Sequence, residues 1–203
     1  MSELFSIQLQ NRQQQGRDGV WLDLPTTTEQ VQAALRQIGI SSDNPQGLFI
    51  SGYFAEEEKR FAIPYNMVLA SNVDELNFLA SRLETLSTGE RAELNAALQA
   101  PQSELSSIGR ITDFPENVDY YVHLPDVHGP AQLGDYYLNR SGMVDMPEEW
   151  KGGIDTAQFG RYVAQQEQGV FTEYGYLVKS GDAWQKVHEG QPVPEEYRVL
   201  SFP

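Results

Sequence analysis

The chain has 203 residues, with 29 acidic residues against 14 basic ones and a net charge of -15. That length suits one or two domains with a buried core, and 40% apolar with 21% charged residues excludes wholesale disorder. The acidity argues against a nucleic-acid partner, which calls for a basic face. The absence of Cys excludes a disulfide scaffold, a thiolate zinc site and a cysteine nucleophile. Met1 to Ser6 lacks the basic start and apolar run of a signal peptide, and no apolar stretch approaches the ~18 residues of a membrane helix, so a cytoplasmic location without membrane attachment is expected.

Leu4 to Gln10 alternates loosely as a strand, and a Gln-rich loop follows to Asp18. Val20 to Leu24 is a second strand, closed by Pro25. Thr26 and Glu29 have the spacing of a capping box, ahead of Val31, Ala34, Leu35 and Ile38 at helical period. Leu48-Phe49-Ile50 and Phe61-Ala62-Ile63 read as two more strands, joined by Glu56 to Arg60. Near residue 71 the pattern turns helical. Asn72 and Glu75 form another capping box, and Leu76, Leu79, Leu83 and Leu86 make an apolar stripe. Ser87 to Glu90 repeats the cap, before a helix carrying Leu94, Ala97 and Leu98 up to Pro101. Ser103 to Arg110 is a shorter helix. Beyond Phe114 a strand at Tyr120 to Leu124 is followed by a helix at Ala131 to Arg140, stopped by Gly142. Pro147 opens a helical turn, Asp155 caps a helix through Val163, and Val170 to Lys179 reads as strand with a turn or bulge at Gly175. Tyr197 to Leu200 adds a final strand. The fold class is α+β in three units: an N-terminal α+β domain at 1–70, a helical domain at 71–113, and a C-terminal α+β domain at 114–203 with a tail from Ser180.

Little in the sequence suggests catalysis. His123, Asp126 and His128 in a loop do not by themselves supply the converging ligands of a metal site. Carboxylate pairs such as Asp145 with Glu148, or Glu195 with Glu196, recur as they must in an acidic chain. A hydrolase needs one such pair to be buried, and no pair is singled out. Phosphate-binding, nucleophile-elbow and dinucleotide motifs are absent. No catalytic residue, metal or cofactor is therefore expected. What stands out is charge, since residues 114–203 carry over half of the acidic excess. Such charge either keeps the surface solvated or imitates phosphates.

A set of ordered motifs bears on this choice. Leu133-Gly134-Asp135-Tyr136-Tyr137-Leu138 precedes Ser141-Gly142 and Met146-Pro147-Glu148-Glu149-Trp150. Ile154-Asp155, Phe159-Gly160-Arg161 and Gly169-Val170-Phe171-Thr172-Glu173-Tyr174-Gly175-Tyr176 follow. In this order and spacing they resemble the ArdA-type antirestriction proteins. Gly19-Val20-Trp21-Leu22-Asp23-Leu24-Pro25, Phe61-Ala62-Ile63 and Asp74-Glu75-Leu76-Asn77 are similar to the family's upstream segments, so the resemblance spans roughly residues 1–178. The sequence departs from the family pattern at Thr156 and Ala157, at Tyr162, and at Pro64-Tyr65-Asn66, where the family places acids or aromatics.

The resemblance implies an elongated, curved, dimeric DNA mimic carried on bacterial mobile elements. Such proteins bind type I restriction-modification enzymes in the DNA groove and block restriction. On that reading the partner-binding acids are Asp74, Glu75, Glu84, Glu90 and Glu93 on the helices, with Asp119, Asp126, Asp135, Asp145, Glu148, Glu149 and Asp155 beyond them. Arg161 is expected to pair with a carboxylate rather than meet the target. Met143, Val144, Met146, Trp150 and Phe159 are the candidate homodimer contacts, or else the third domain's own core. The alternatives are an acidic protein-protein interaction module of the same family without DNA mimicry, and a carboxylate-dependent hydrolase.

Overall fold

A computed structural model of the chain describes residues 4–14, 18–41, 46–56, 61–101 and 103–200. Within them the chain is mixed α+β, with eight α-helices and two three-stranded antiparallel sheets. It divides into two compact units, Met1–Ser87 with Glu104–Glu116 and Gln185–Pro203, and Thr88–Ser103 with Asn117–Trp184.

In the first unit β1 (Phe5–Asn11) is the central strand, flanked by β2 (Val20–Leu24) and β3 (Leu48–Phe54). Ile7 pairs with Leu22 on one side and Tyr53 on the other, and the register against β3 slips between Gln8 and Leu9. Phe5, Ile7, Leu9, Leu22 and Leu24 are buried, and α1 (Thr28–Gln37) contributes Val31, Ala34 and Leu35. The capping box of α1 lies one residue later than the sequence spacing suggests, on Thr27 and Gln30. Thr26 is unavailable as the cap because it is buried and its amide donates to Asn77 Oδ1 at 2.7 Å. Phe61-Ala62-Ile63 is not a strand. Phe61 and Ile63 are buried as irregular chain entering α2 (Tyr65–Leu69), so their apolar pattern reported burial and not pairing. Of the expected connection before them only Glu56 lies within the described residues.

α3 (Val73–Leu83) has the predicted capping box on Asn72 and Glu75 and buries Leu76, Leu79 and Leu83 completely. α5 (Ile108–Thr112) starts later than predicted, because Ser107 caps it by accepting from the Arg110 amide. Near the C-terminus the expected strand is replaced by one 3-10 turn, Glu195–Tyr197. Beyond it the amides of Val199 and Leu200 donate to the Asp74 carboxylate and not to a neighbouring strand.

The second unit begins with α4 (Thr88–Gln99), which buries Leu94, Ala96 and Ala97. Its sheet places β6 (Gly175–Lys179) between β4 (Tyr121–Leu124) and β5 (Val170–Thr172). Val170 to Lys179 is thus a hairpin that turns before Gly175, whose φ of +119° favours glycine. The helix α6 (Pro130–Asp135) widens into a single π turn, Tyr136–Arg140, and ends at Gly142 as the sequence predicts. A short α7 (Glu148–Lys151) precedes α8 (Thr156–Glu167). α6 and α8 pack through glycines: a Cβ on Gly160 would overlap the carbonyl oxygen of Pro130, and one on Gly134 the carbonyl of Thr156. Beside them Val127, Leu133 and Tyr176 form the core, covered by Leu124, Tyr137, Val163 and Phe171.

This close approach sets the stability of the second unit. Gly160→Ala, which must push backbone away from backbone, is expected to destabilise it by roughly 1–3 kcal/mol. Gly152→Ala, at a glycine with nothing within 4 Å, is expected to lose less than about 0.5 kcal/mol. Chemical denaturation of both variants measures the difference, and equal losses would contradict the packing.

Candidate partner-binding surface

Three of the acids expected to meet a partner lie on α3 in the first unit. Asp74 is committed within its own unit, since its Oδ1 accepts from the amides of Val199 at 2.7 Å and Leu200 at 2.8 Å. Glu75 is exposed and closes the capping box by accepting from the Asn72 amide. Glu84 is the half-buried C-cap residue of the same helix.

The other nine lie in the second unit. Glu90 sits in the first turn of α4 and Glu93 one turn on. Burial of Glu93, with the charges of Glu90 and Asp119 nearby, pushes its carboxyl up to about 8. Its Oε1 is buried without a hydrogen-bond partner among the described residues. Glu93 is therefore held toward its neutral form and adds less charge to the surface than an exposed carboxylate. Asp135 is held below the usual carboxylate range by hydrogen bonds from Asn139 and then Arg140. Asp155 spends one oxygen as N-cap of α8, accepting from the amides of Ala157 and Gln158. Glu148 meets Lys151 Nζ at 2.6 Å. Asp119, Asp126, Asp145 and Glu149 are exposed, and Glu148, Glu149, Asp145 and Asp155 lie within one short stretch of chain around α7.

That stretch also carries exposed apolar groups. Met143 is 75% and Trp150 67% exposed, and Tyr162 on α8 is 60% exposed. Val144, Met146 and Phe159 are half-buried. None of these six belongs to the core cluster around Tyr176. Arg161 is exposed on α8, and among the described residues no carboxylate forms the expected ion pair with it.

The histidines do not converge. His123 Nε2 lies 2.7 Å from the carbonyl oxygen of Tyr174 and His128 is exposed, and among the described residues no group of His, Asp and Glu is placed to hold a metal ion. Sequence reading missed Glu167, which accepts from Tyr137 at 2.8 Å and from Tyr176 at 2.5 Å. Burial and this shared carboxylate push both phenols up. No local signal marks Glu167, because its two partners come from separate elements.

Set against known proteins, residues 15–178 match the family described as antirestriction protein (ArdA). The chain belongs to the ArdA antirestriction family. The match takes in β2, α1 to α8 and most of the second sheet, and it covers every acid and every apolar contact residue named above. Residues beyond 178 lie outside the span in which this ArdA-family chain matches its family. No curated protein matches the chain. Among the described residues no helix is long and apolar enough to cross a membrane.

The position of Glu93 fixes a sign. Its folded value near 8 lies above the ordinary 4.5. The neutral form therefore stabilises the fold fully below about pH 4.5, and that stabilisation is lost as pH rises through about 8. Glu93→Gln keeps the group neutral. Relative to the natural chain, the variant is expected to gain stability progressively between about pH 5 and 9. Denaturation midpoints across that series measure this, and a constant difference would refute it.

Proposed function

We propose that this ArdA-family protein imitates DNA: its exposed carboxylates stand in for backbone phosphates and occupy the DNA-binding groove of a type I restriction-modification enzyme, which blocks restriction. It acts by binding, not by catalysis, and its proposed place is the cytoplasm, where such enzymes meet incoming DNA. The family match over residues 15–178 carries this reading. The net charge of -15 and the exposed acids of the second unit support it.

The charge offered to the partner is assigned to Glu75, Glu90, Asp119, Asp126, Asp145, Glu148, Glu149 and Asp155. Glu84 lies at the margin of this set, and Asp74, Glu93 and Asp135 shape the surface around it. The segments 1–70, 71–113 and 114–203 enter the proposal as successive stretches of acidic charge along the chain. Met143, Val144, Met146, Trp150 and Phe159 are proposed as the homodimer contact, since exposed Met143 and Trp150 lie outside the core of their own unit.

Charge that acts collectively makes each acid individually dispensable. Asp126→Asn, Asp145→Asn or Glu149→Gln alone should weaken inhibition by less than about 1 kcal/mol. The three combined with Glu148→Gln should abolish it, and inhibition by the natural protein should fall as salt rises. Cleavage of unmodified DNA by a purified type I enzyme, with the protein titrated across a salt series, measures this. Total loss from one substitution, or a response flat in salt, would overturn mimicry in favour of a localised site. Sedimentation at micromolar concentration should give a dimer for the natural chain and a monomer for the double variant Met143→Ser, Trp150→Ser. A monomeric natural chain would overturn the dimer.

A further inference from the structure

Gln185–Leu200 packs within the first unit although it lies beyond the family-matched span. Its attachments are mostly polar and come from α3, α5 and the residue after α5. Asp113 is completely buried, and its carboxylate accepts three successive amides, from Val187 at 3.2 Å, His188 at 2.6 Å and Glu189 at 3.2 Å. Asp74 holds the far end through the amides of Val199 and Leu200. Between these anchors Asn77 Nδ2 donates to the Tyr197 carbonyl at 2.9 Å, and the Phe78 ring lies 4.9 Å from that of His188 and 4.7 Å from that of Tyr197. Arg110 Nε donates to Glu189 Oε1 at 2.8 Å.

Little apolar surface backs these bonds. Within 185–200 only Val199 is buried, and the segment contributes no strand to either sheet. A segment held mainly by side-chain-to-amide bonds, with so small a core of its own, opens at lower free energy than a sheet whose strands share one core.

We propose that Gln185–Leu200 is a detachable strap, which docks on and leaves the α3–α5 face while the sheet and α3 stay folded. Release strips the amides from Asp74 and Asp113 and uncovers Phe78. It also opens a cavity of about 570 Å³ that the strap residues His188 to Val193 share with Met67, Phe78 and Ile108. A closed, amide-capped face thereby becomes an open acidic groove with an aromatic floor. The strap is a conformational device of the first unit and does not depend on what the second unit binds.

Hydrogen exchange on the full-length chain tests the proposal. In the natural protein the amides of residues 187–189 and 199–200 should be protected, yet open at lower free energy than those of Ile7, Leu9 and Leu79. Asp113→Asn replaces one acceptor oxygen by a donor and should cut protection at 187–189 by about tenfold or more, leaving β1 and α3 unchanged. Should that buried substitution prevent folding, the strap-side double variant Tyr197→Ala, Val199→Ala leaves the α3 and α5 residues intact and decides the matter by the same readout. Strap amides that open only together with β1 and α3 would overturn the proposal, because the segment would then be integral to the unit. Strap amides with no protection at all would overturn it equally, because nothing would be docked.

Discussion

Negative charge is the constraint under which this fold is built. Fourteen basic residues cannot neutralise 29 acids, and uncompensated carboxylates repel one another and oppose compaction. The chain answers by giving carboxylates to backbone amides. Asp155 and Glu75 cap helix starts, where unpaired N–H groups and the helix dipole welcome an anion. Asp74 and Asp113 do the same for irregular chain. Cations handle a smaller share, as where Arg110 joins Glu104 and Glu189. Where neither is at hand, as at Glu93, the charge is given up.

The second unit shows how a small body can carry such a surface. Glycine contacts let α6 and α8 approach until backbone meets backbone, which buries area without large side chains. Glu167 then ties Tyr137 and Tyr176 together at the core's edge. With the interior closed in this way, the chain between Met143 and Asp155 is free to remain almost wholly at the surface, where acids and exposed apolar groups alternate. A surface that mixes the two suits protein contact better than solvation alone.

Legibility in the sequence followed the range of the interaction. The leucines of α3, the Asn72 to Glu75 box, the Asp155 cap and the stop at Gly142 are local patterns, and the structure repeats them. The errors came where a distant group won. Thr26 was taken from its cap by Asn77, fifty-one residues away. The amides of Val199 and Leu200 went to Asp74 and so formed no strand. Phe61 and Ile63 are apolar for burial alone, which alternation cannot distinguish from pairing. Of the surface, the acids around α7 could be read as exposed, but the raised carboxyl of Glu93 could not, because it depends first on burial in the folded chain and then on the nearby charges of Glu90 and Asp119. The family resemblance, in contrast, rests on short motifs in fixed order, and these survive without any knowledge of packing.

The first unit is assembled from three separated stretches of chain, the last of which is Gln185–Pro203. During synthesis the sheet, α3 and α5 leave the ribosome early, yet the amides that satisfy Asp74 and Asp113 come only after the whole second unit has been made. At translation speeds of about 5–20 residues per second, that interval lasts several seconds. The second unit can therefore be complete before the strap docks, so the first unit receives its last segment only after its neighbour is finished.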